Sequence, residues 1–295
     1  MALPTFIIIG SMKSGTSSLH HYLGEHPQIQ KLPAMKETNF FSGPPEGIPY
    51  PPGSKRIERL EDYERLFDPA FEVRGEASPC YALYPRRKGV PERIKDIVPD
   101  AKLIYLVRDP VDRAVSHYHF RVAVEDERRP LREALTDFTD PNSLYTCPGF
   151  YAAQIERYLQ HFKDGRILVV DQSDLLTDRQ ATLRKIFAFL AVDDSFTSPR
   201  FDEEANTGRE LRTYSYFVVL HRRVKASRLL QRLILQRLSP EQRRSIRQAV
   251  QRLSSQPLDP PQLDDDTRCR LQDIFVDDVD RLRALTGEAF PTWSL

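Results

Sequence analysis

Cysteine is scarce in this 295-residue chain. Cys80, Cys147 and Cys269 are odd in number and far apart, and no Cys-x-x-Cys pair occurs. That argues against a disulfide framework or a zinc site and leads us to expect three reduced thiols. An excess of one charge is lacking too. Lys plus Arg (43) and Asp plus Glu (42) leave a net charge of +1. The chain as a whole is therefore not built to bind a polyanion, and nucleic acid is not an expected partner, though a local basic patch stays open. Long apolar runs are missing as well. Phe6 to Ile9 is too short for a signal peptide or a membrane span, and no later stretch approaches about 18 apolar residues. The expectation is a protein with no transmembrane segment, in the cytoplasm. There is no internal repeat, no low-complexity tract and no evident aspartate cage for a metal.

What the chain does have is alternation. "TFIIIG" is a short apolar run ending in glycine, as a buried parallel strand would be, and "TSSLHHYLGEH" follows with Leu19, Tyr22 and Leu23 at helical spacing. "AKLIYLVRDP" at 101–110 repeats the theme, with a helical pattern from Val111 to Val122. "RILVVDQSDL" at 166–175 reads as a third buried strand, followed by a helix through "RQATLRKIFAFLAV". Strands alternating with helices predict an α/β protein, a parallel sheet with helices on both faces. The Pro- and Gly-rich stretch 42–60 reads as a surface loop. The segment 221–256 carries ten Arg and Lys against one acid, Glu241. Leu229, Leu230, Leu233, Ile234 and Leu238 form a helical stripe there, and Pro240 opens a second helix. The segment 263–287 is acid-rich and also helical. Two amphipathic segments packed on the domain are one reading; a basic lid or docking face for an anionic substrate or carrier is the other.

The loop "FIIIGSMKSGTSSL" carries the chemistry. A nucleotide P-loop reads GxxxxGK[ST], with the lysine directly after the second glycine. Here Gly10 and Gly15 keep the spacing, but Thr16 takes the lysine position and the lysine lies inside the loop, at Lys13. Such a loop still cradles an anion through backbone N–H groups, a helix N-terminus and the hydroxyls of Thr16, Ser17 and Ser18. Lys13 belongs beside a single 5′-phosphate group and whatever is attached to it. Further on, "LIYLVRDPVDRAVSHYHF" sets Arg108 at a strand end and Ser116 about two helical turns later. An arginine there points into the ligand crevice of a parallel sheet and can grip a phosphate with paired hydrogen bonds.

These segments resemble those of the sulfotransferases that use 3′-phosphoadenosine 5′-phosphosulfate (PAPS), in particular the heparan-sulfate-type and bacterial members. The resemblance covers about 1–205 and 263–293. It implies a P-loop-like three-layer fold, a central parallel sheet flanked by helices, with extra C-terminal helices. The whole of 1–295 would be a single sulfotransferase domain with a basic helical insertion at about 209–256. By resemblance, Lys13, Ser14, Gly15, Thr16, Ser17 and Ser18 hold the 5′-phosphosulfate, and Arg108 and Ser116 hold the 3′-phosphate. Around "NTGRELR", Gly208, Arg209 and Arg212 form a looser match to the last cofactor loop. "LPAMKETNFFSG" is similar to the family's E-x-x-F-F segment, which makes Glu37 the base, walled by two aromatics that would raise its pKa. Lys36, Phe40 and Phe41, with Ser78 and Tyr81 of "GEASPCY", are implied at the acceptor. Ala77 stands where that last segment usually has lysine, and Asn39 where some members have histidine. Both departures argue against a heparan-like acceptor. "LQDIFVDDVDRLRALTGEAFPTW" looks like the family's closing helix and terminal tryptophan, Trp293.

The reaction implied is in-line transfer of a sulfuryl group from PAPS to an acceptor hydroxyl, leaving adenosine 3′,5′-bisphosphate. Lys13 and the loop amides stabilise the leaving phosphate, and no metal is required. The acceptor would be a small molecule, a carbohydrate or a carrier-bound group. Two rivals stay open. One is a P-loop kinase, which needs a lysine at position 16 and a Mg²⁺ ligand such as Asp109. The other is a non-catalytic nucleotide-binding protein of the same fold, which would keep Lys13 and Arg108 and tolerate the loss of Glu37.

Overall fold

A computed structural model describes residues 2–31, 33, 37–43, 56–124, 127–135, 143–163, 165–202, 212–214 and 255–295. The strands are β1 (Phe6–Gly10), β2 (Gly75–Ala77), β3 (Lys102–Val107), β4 (Ile167–Asp171), β5 (Arg212–Tyr214) and β6 (Ser255–Pro257). The helices are α1 (Thr16–Leu23), α2 (Leu60–Glu64), α3 (Val90–Ile97), α4 (Pro110–Val124), α5 (Leu131–Leu135), α6 (Tyr151–Leu159), α7 (Gln172–Thr177), α8 (Arg179–Leu190) and α9 (Asp265–Thr286). Four strands form one sheet in the order β2-β1-β3-β4, and every pairing in it is parallel. β5 and β6 form a separate antiparallel pair.

The period of two along the strands builds the three layers. In β1, Ile7 and Ile9 enter one core cluster, whereas Phe6 and Ile8 enter the other. In β3, Leu103, Tyr105 and Val107 join the first, and Ile104 and Leu106 the second. Helices α3, α4, α6 and α9 close the first cluster with Ile94, Val111, Tyr158 and Phe275. Helices α1 and α8 close the second with Leu19, Leu23, Ile186 and Phe187. Each such fully buried side chain contributes about 1.5–3 kcal/mol. Close packing explains Gly75: a Cβ there would meet the Phe6 ring at 2.3 Å.

The fold is the expected one, with differences at the edges. β4 is half-buried over Ile167–Val169, as an edge strand is, and it stops at Asp171. The carboxylate of Asp171 accepts from Ser173 N (3.1 Å) and starts α7, so residues 172–175 are helical where a strand was expected. β2 is a three-residue strand that alternation did not signal. The chain end docks on the sheet. Trp293 stacks on Phe290, and its Nε1 donates to Asp171 Oδ2 (3.0 Å). Of the basic segment, residues 221–254 lie outside the described residues, and Ser255 and Gln256 belong to β6. Among the described residues no helix is long and apolar enough to cross a membrane.

Candidate active site

Of the groups singled out in the sequence, the phosphate loop, Arg108 and Glu37 lie at the carboxyl ends of the parallel strands, where open α/β sheets bind ligands. The phosphate loop leaves β1 at Gly10. It is pinned by Ser11 N donating to Leu106 O (2.7 Å) and by a 2.6 Å bond between the Ser11 and Ser14 hydroxyls. Ser14 and Thr16 are buried; Lys13, Gly15, Ser17 and Ser18 are half-buried. Gly15 sits at φ 90°, and a Cβ built on it would lie 3.6–3.8 Å from the Gln172 and Leu106 side chains, so the loop crosses the ends of β3 and β4. This left-handed conformation is one that glycine adopts freely, and it turns the chain directly into α1. Lys13 also has a positive φ, 71°. Its ammonium lies 4.4 Å from the centroid of the Phe120 ring, a cation–π contact.

That contact brings α4 to the loop. Phe120 and Ser116 are four residues apart, so they share a helix face, and Ser116 stands one turn from Lys13's partner. Arg108 is half-buried at the end of β3, and its carbonyl accepts from Tyr151 Oη (2.8 Å). The Tyr151 hydroxyl also lies beside those of Ser11 and Ser14. Lys13 is thus linked, through neighbouring side chains, to Arg108 and Ser116, about a hundred residues further along the chain. The electrostatics suit an anion. Buried His117 has its pKa held well below the usual value, first by burial and then by Arg113, Arg121, Lys13 and Arg86. A neutral histidine inside a ring of cations marks a positive field.

Asp109, the acid a kinase would need, is committed to structure. Its Oδ1 accepts from Val111 N (2.9 Å) and Asp112 N (3.0 Å), capping α4, and its Oδ2 accepts from Ser294 N (2.6 Å).

Glu37 reaches the same end of the sheet, because its N–H donates to Ala77 O (3.0 Å) at the tip of β2. It is exposed, at φ 66°. Of the two aromatics expected beside it, Phe41 is buried and Phe40 half-buried. Phe41 turns into the core, and Phe40 stacks on Tyr63 with centroids 4.2 Å apart. Ser78 and Tyr81, expected at the acceptor, are buried, and both hydroxyls donate to the buried carboxylate of Glu76. They support the site from beneath, and so does Phe41. Asn39 is also turned inward, with Nδ2 on Glu37 O (2.9 Å). Lys36, Gly208 and Arg209 lie outside the described residues. Arg212 lies in β5, which runs beside α4, the helix that carries Ser116.

Sequence reasoning passed over Glu76, Phe120, Tyr151 and the His117 surroundings. Glu76 stood inside a quoted segment; the signal was there but not its meaning. Phe120 and His117 carried none, since only the crossing of α4 over the loop gives them a role.

The family profile described as "Sulfotransferase domain" matches residues 3–210. The bifunctional heparan sulfate N-deacetylase/N-sulfotransferase 2 of Bos taurus is 30% identical over 224 residues, which is 68% of this chain and 24% of that protein. The heparan sulfate glucosamine 3-O-sulfotransferase 3A1 of Mus musculus is 31% identical over 207 residues, 68% of this chain and 48% of that one. The chain therefore spans between about a quarter and a half of the length of these relatives. The crystal structure of a sulfotransferase from Alicyclobacillus acidocaldarius is similar over the full length of both chains, with 28% identity and a TM-score of 0.70.

Proposed function

The chain belongs to the sulfotransferase domain family, whose members move a sulfuryl group from PAPS to an acceptor, and we propose that Lys13, Arg108, Ser116 and Glu37 carry that reaction here. The loop amides, Ser14, Gly15, Thr16, Ser17 and Ser18 cradle the 5′-phosphosulfate. Arg108 and Ser116 take the 3′-phosphate, with Gly208, Arg209 and Arg212 assigned by resemblance to the last cofactor loop. The acceptor oxygen attacks sulfur in line. Its proton passes to Glu37, and the S–O bond to the 5′-phosphate breaks. Lys13 and the α1 N-terminus stabilise the charge left on the phosphate oxygen. Holding the two reactants in line supplies much of the rate.

The observation that carries this reading is the Lys13–Phe120 contact, which brings the loop lysine to the face of α4 that bears Ser116. The kinase reading loses its candidate metal ligand, because both oxygens of Asp109 are engaged by backbone N–H groups.

The acceptor we propose is a small or carrier-bound hydroxyl, not a sulfated polysaccharide. Support comes from Ala77 and Asn39, both buried where some relatives of this type carry a cation or histidine at the substrate, and from the basic run at 221–256. We propose one catalytic domain over 1–295 with that run as its insertion. Cys80, Cys147 and Cys269 are joined in no disulfide, in keeping with a cytoplasmic location.

Calorimetry tests the assignment. Adenosine 3′,5′-bisphosphate and ATP are titrated, with and without Mg²⁺, into wild type, Lys13→Ala and Arg108→Ala. Metal-independent bisphosphate binding, weakened roughly 10- to 100-fold by each substitution, is expected for the loss of a charge-assisted contact of about 1.5–3 kcal/mol. Mg²⁺-dependent ATP binding with no response to the bisphosphate would overturn it in favour of a kinase.

A further inference from the structure

Beneath the Glu37 turn lies a carboxylate that the proposed chemistry does not use. Glu76 occupies the middle of β2, in register with Ile7 of β1, and is 1% exposed. It accepts four hydroxyl hydrogen bonds: Thr38 Oγ1 (2.7 Å) and Ser78 Oγ (2.8 Å) on Oε2, Tyr63 Oη (2.9 Å) and Tyr81 Oη (2.7 Å) on Oε1. A buried carboxylate is costly unless its lone pairs are filled, and here they are. Burial pushes the Glu76 pKa up and the four hydroxyls pull it back. Burial and then the charge of Glu76 push both tyrosines up, so they keep their protons.

The direction of these bonds matters. A hydroxyl has one proton to give. Ser78 and Tyr81 spend theirs on Glu76, which leaves their oxygens as acceptors, and both accept from the turn that follows Glu37. Asn39 N donates to Ser78 Oγ (3.2 Å) and Phe41 N to Tyr81 Oη (3.3 Å). Thr38, the residue next to Glu37, is held directly. The turn needs holding: Glu37 and Asn39 sit at φ 66° and 53°, and left-handed backbone at such residues costs on the order of 1–3 kcal/mol each. On its other side the hub is bonded to the cofactor strand, with Ser78 N on Ile8 O (3.1 Å) and Ala82 N on Ile9 O (3.0 Å), just before the phosphate loop.

We propose that Glu76 is a positioning residue: by orienting the Thr38, Ser78 and Tyr81 hydroxyls it fixes the turn that presents Glu37, and registers that turn to β1, the strand that leads into the Lys13 loop. The inference rests on the assignment of Glu37 as base. A glutamine at 76 has the same shape but brings an N–H₂ to one side of the hub. The two hydroxyls on that side must turn their protons away from position 76 and find new acceptors, which disturbs the orientation in which they hold the turn.

The test uses water as the acceptor, so that no particular substrate is needed. Single-turnover release of adenosine 3′,5′-bisphosphate from PAPS is followed for wild type, Glu37→Gln, Glu76→Gln, Thr38→Val and the Glu37→Gln/Glu76→Gln pair, alongside bisphosphate affinity and thermal unfolding. Glu76→Gln and Thr38→Val are expected to lose at least about 10-fold in rate, with bisphosphate affinity and the KM for PAPS within about twofold of wild type. The double variant should be no slower than Glu37→Gln alone, because Glu76 acts only through Glu37. A Glu76→Gln enzyme within twofold of wild type, or one whose loss multiplies with that of Glu37→Gln, would overturn the proposal while leaving Glu37 as base. An unchanged rate in Glu37→Gln would overturn the base assignment, and the proposal with it. Should Glu76→Gln fail to fold, Thr38→Val cuts the same link with the carboxylate in place and decides by the same criteria.

Discussion

Replacing Asp278 with alanine should weaken the whole molecule from a point remote from the chemistry. Asp278 lies on α9, but it caps α6, because Phe150 at the start of that helix supplies no side-chain cap. Its Oδ2 accepts from Ala152 N (2.9 Å) and its Oδ1 from Ala153 N (3.0 Å), and Arg281 braces it at 3.0 Å. The residue is 2% exposed, so water cannot replace the carboxylate at those amides. Leaving two such donors unpaired costs about 1–3 kcal/mol each, and helix caps measure about 0.5–2 kcal/mol. Against this, burial raises the Asp278 pKa, so removing the charge returns part of the loss. A net cost of about 2–4 kcal/mol follows. With an unfolding entropy near 2.1 cal/mol/K per residue over 295 residues, Tm should fall by about 3–7 °C. Scanning calorimetry reads this directly. Asp278→Asn keeps one acceptor oxygen and should lose about half as much. An alanine variant within about 1 °C of wild type would refute the reasoning. So would an asparagine variant as damaged as the alanine one, since that would mean packing and not the cap is at stake.

Two further outcomes follow from buried groups. His117 is held neutral in the fold, whereas the unfolded histidine takes a proton near its ordinary pKa of 6.5, so wild type should lose up to about 1.4 kcal/mol per pH unit as pH falls below that value. His117→Gln should flatten this loss in Tm measured from about pH 7 to about pH 5, and parallel profiles would refute it. Ala77→Lys, which restores the residue usual in relatives, puts a cation at a site 1% exposed within the Phe6, Ile8 and Leu19 cluster, and should cost about 3 kcal/mol or more. An Ala77→Lys variant that unfolds at the wild-type temperature would show that the position opens to the ligand instead.

The parts of the fold that could be read from sequence were those whose signal is local and repeated. β1 and β3 face a core on both sides, so each was visible as an unbroken apolar run, and α1, α8 and α9 carry stripes long enough to be seen. β2 has three residues, too few for any period, and was visible only as a motif. At the site, Lys13, Arg108 and Ser116 could be found because each stands at a fixed offset from a strand end. The Glu76 hub could not. Its members come from positions 38, 63, 76, 78 and 81, and nothing in any one of those stretches says that five polar side chains share one buried point. The two phenylalanines were ambiguous for a related reason. Aromatics next to a polar residue fit a site wall and a core anchor equally well. Phe41 is buried against Tyr63 and Tyr81 of the hub, whereas Phe40 stays half-buried on Tyr63.

The hub also bears on what the acceptor can be. In this chain the two positions that depart from heparan-type relatives, 39 and 77, are both spent on structure. Asn39 ties the Glu37 carbonyl, and Ala77 fills the core while its carbonyl holds the Glu37 amide. Neither presents a cation or an imidazole to a substrate. On the proposal that Glu37 is the base, the turn presents it on an exposed backbone held in left-handed conformation at residues 37 and 39. If Glu37 is the base, as proposed, its exposure suits an acceptor oriented from elsewhere, by the nucleotide site or by a carrier, because positions 39 and 77 are engaged in packing and backbone bonds and offer that acceptor no charge.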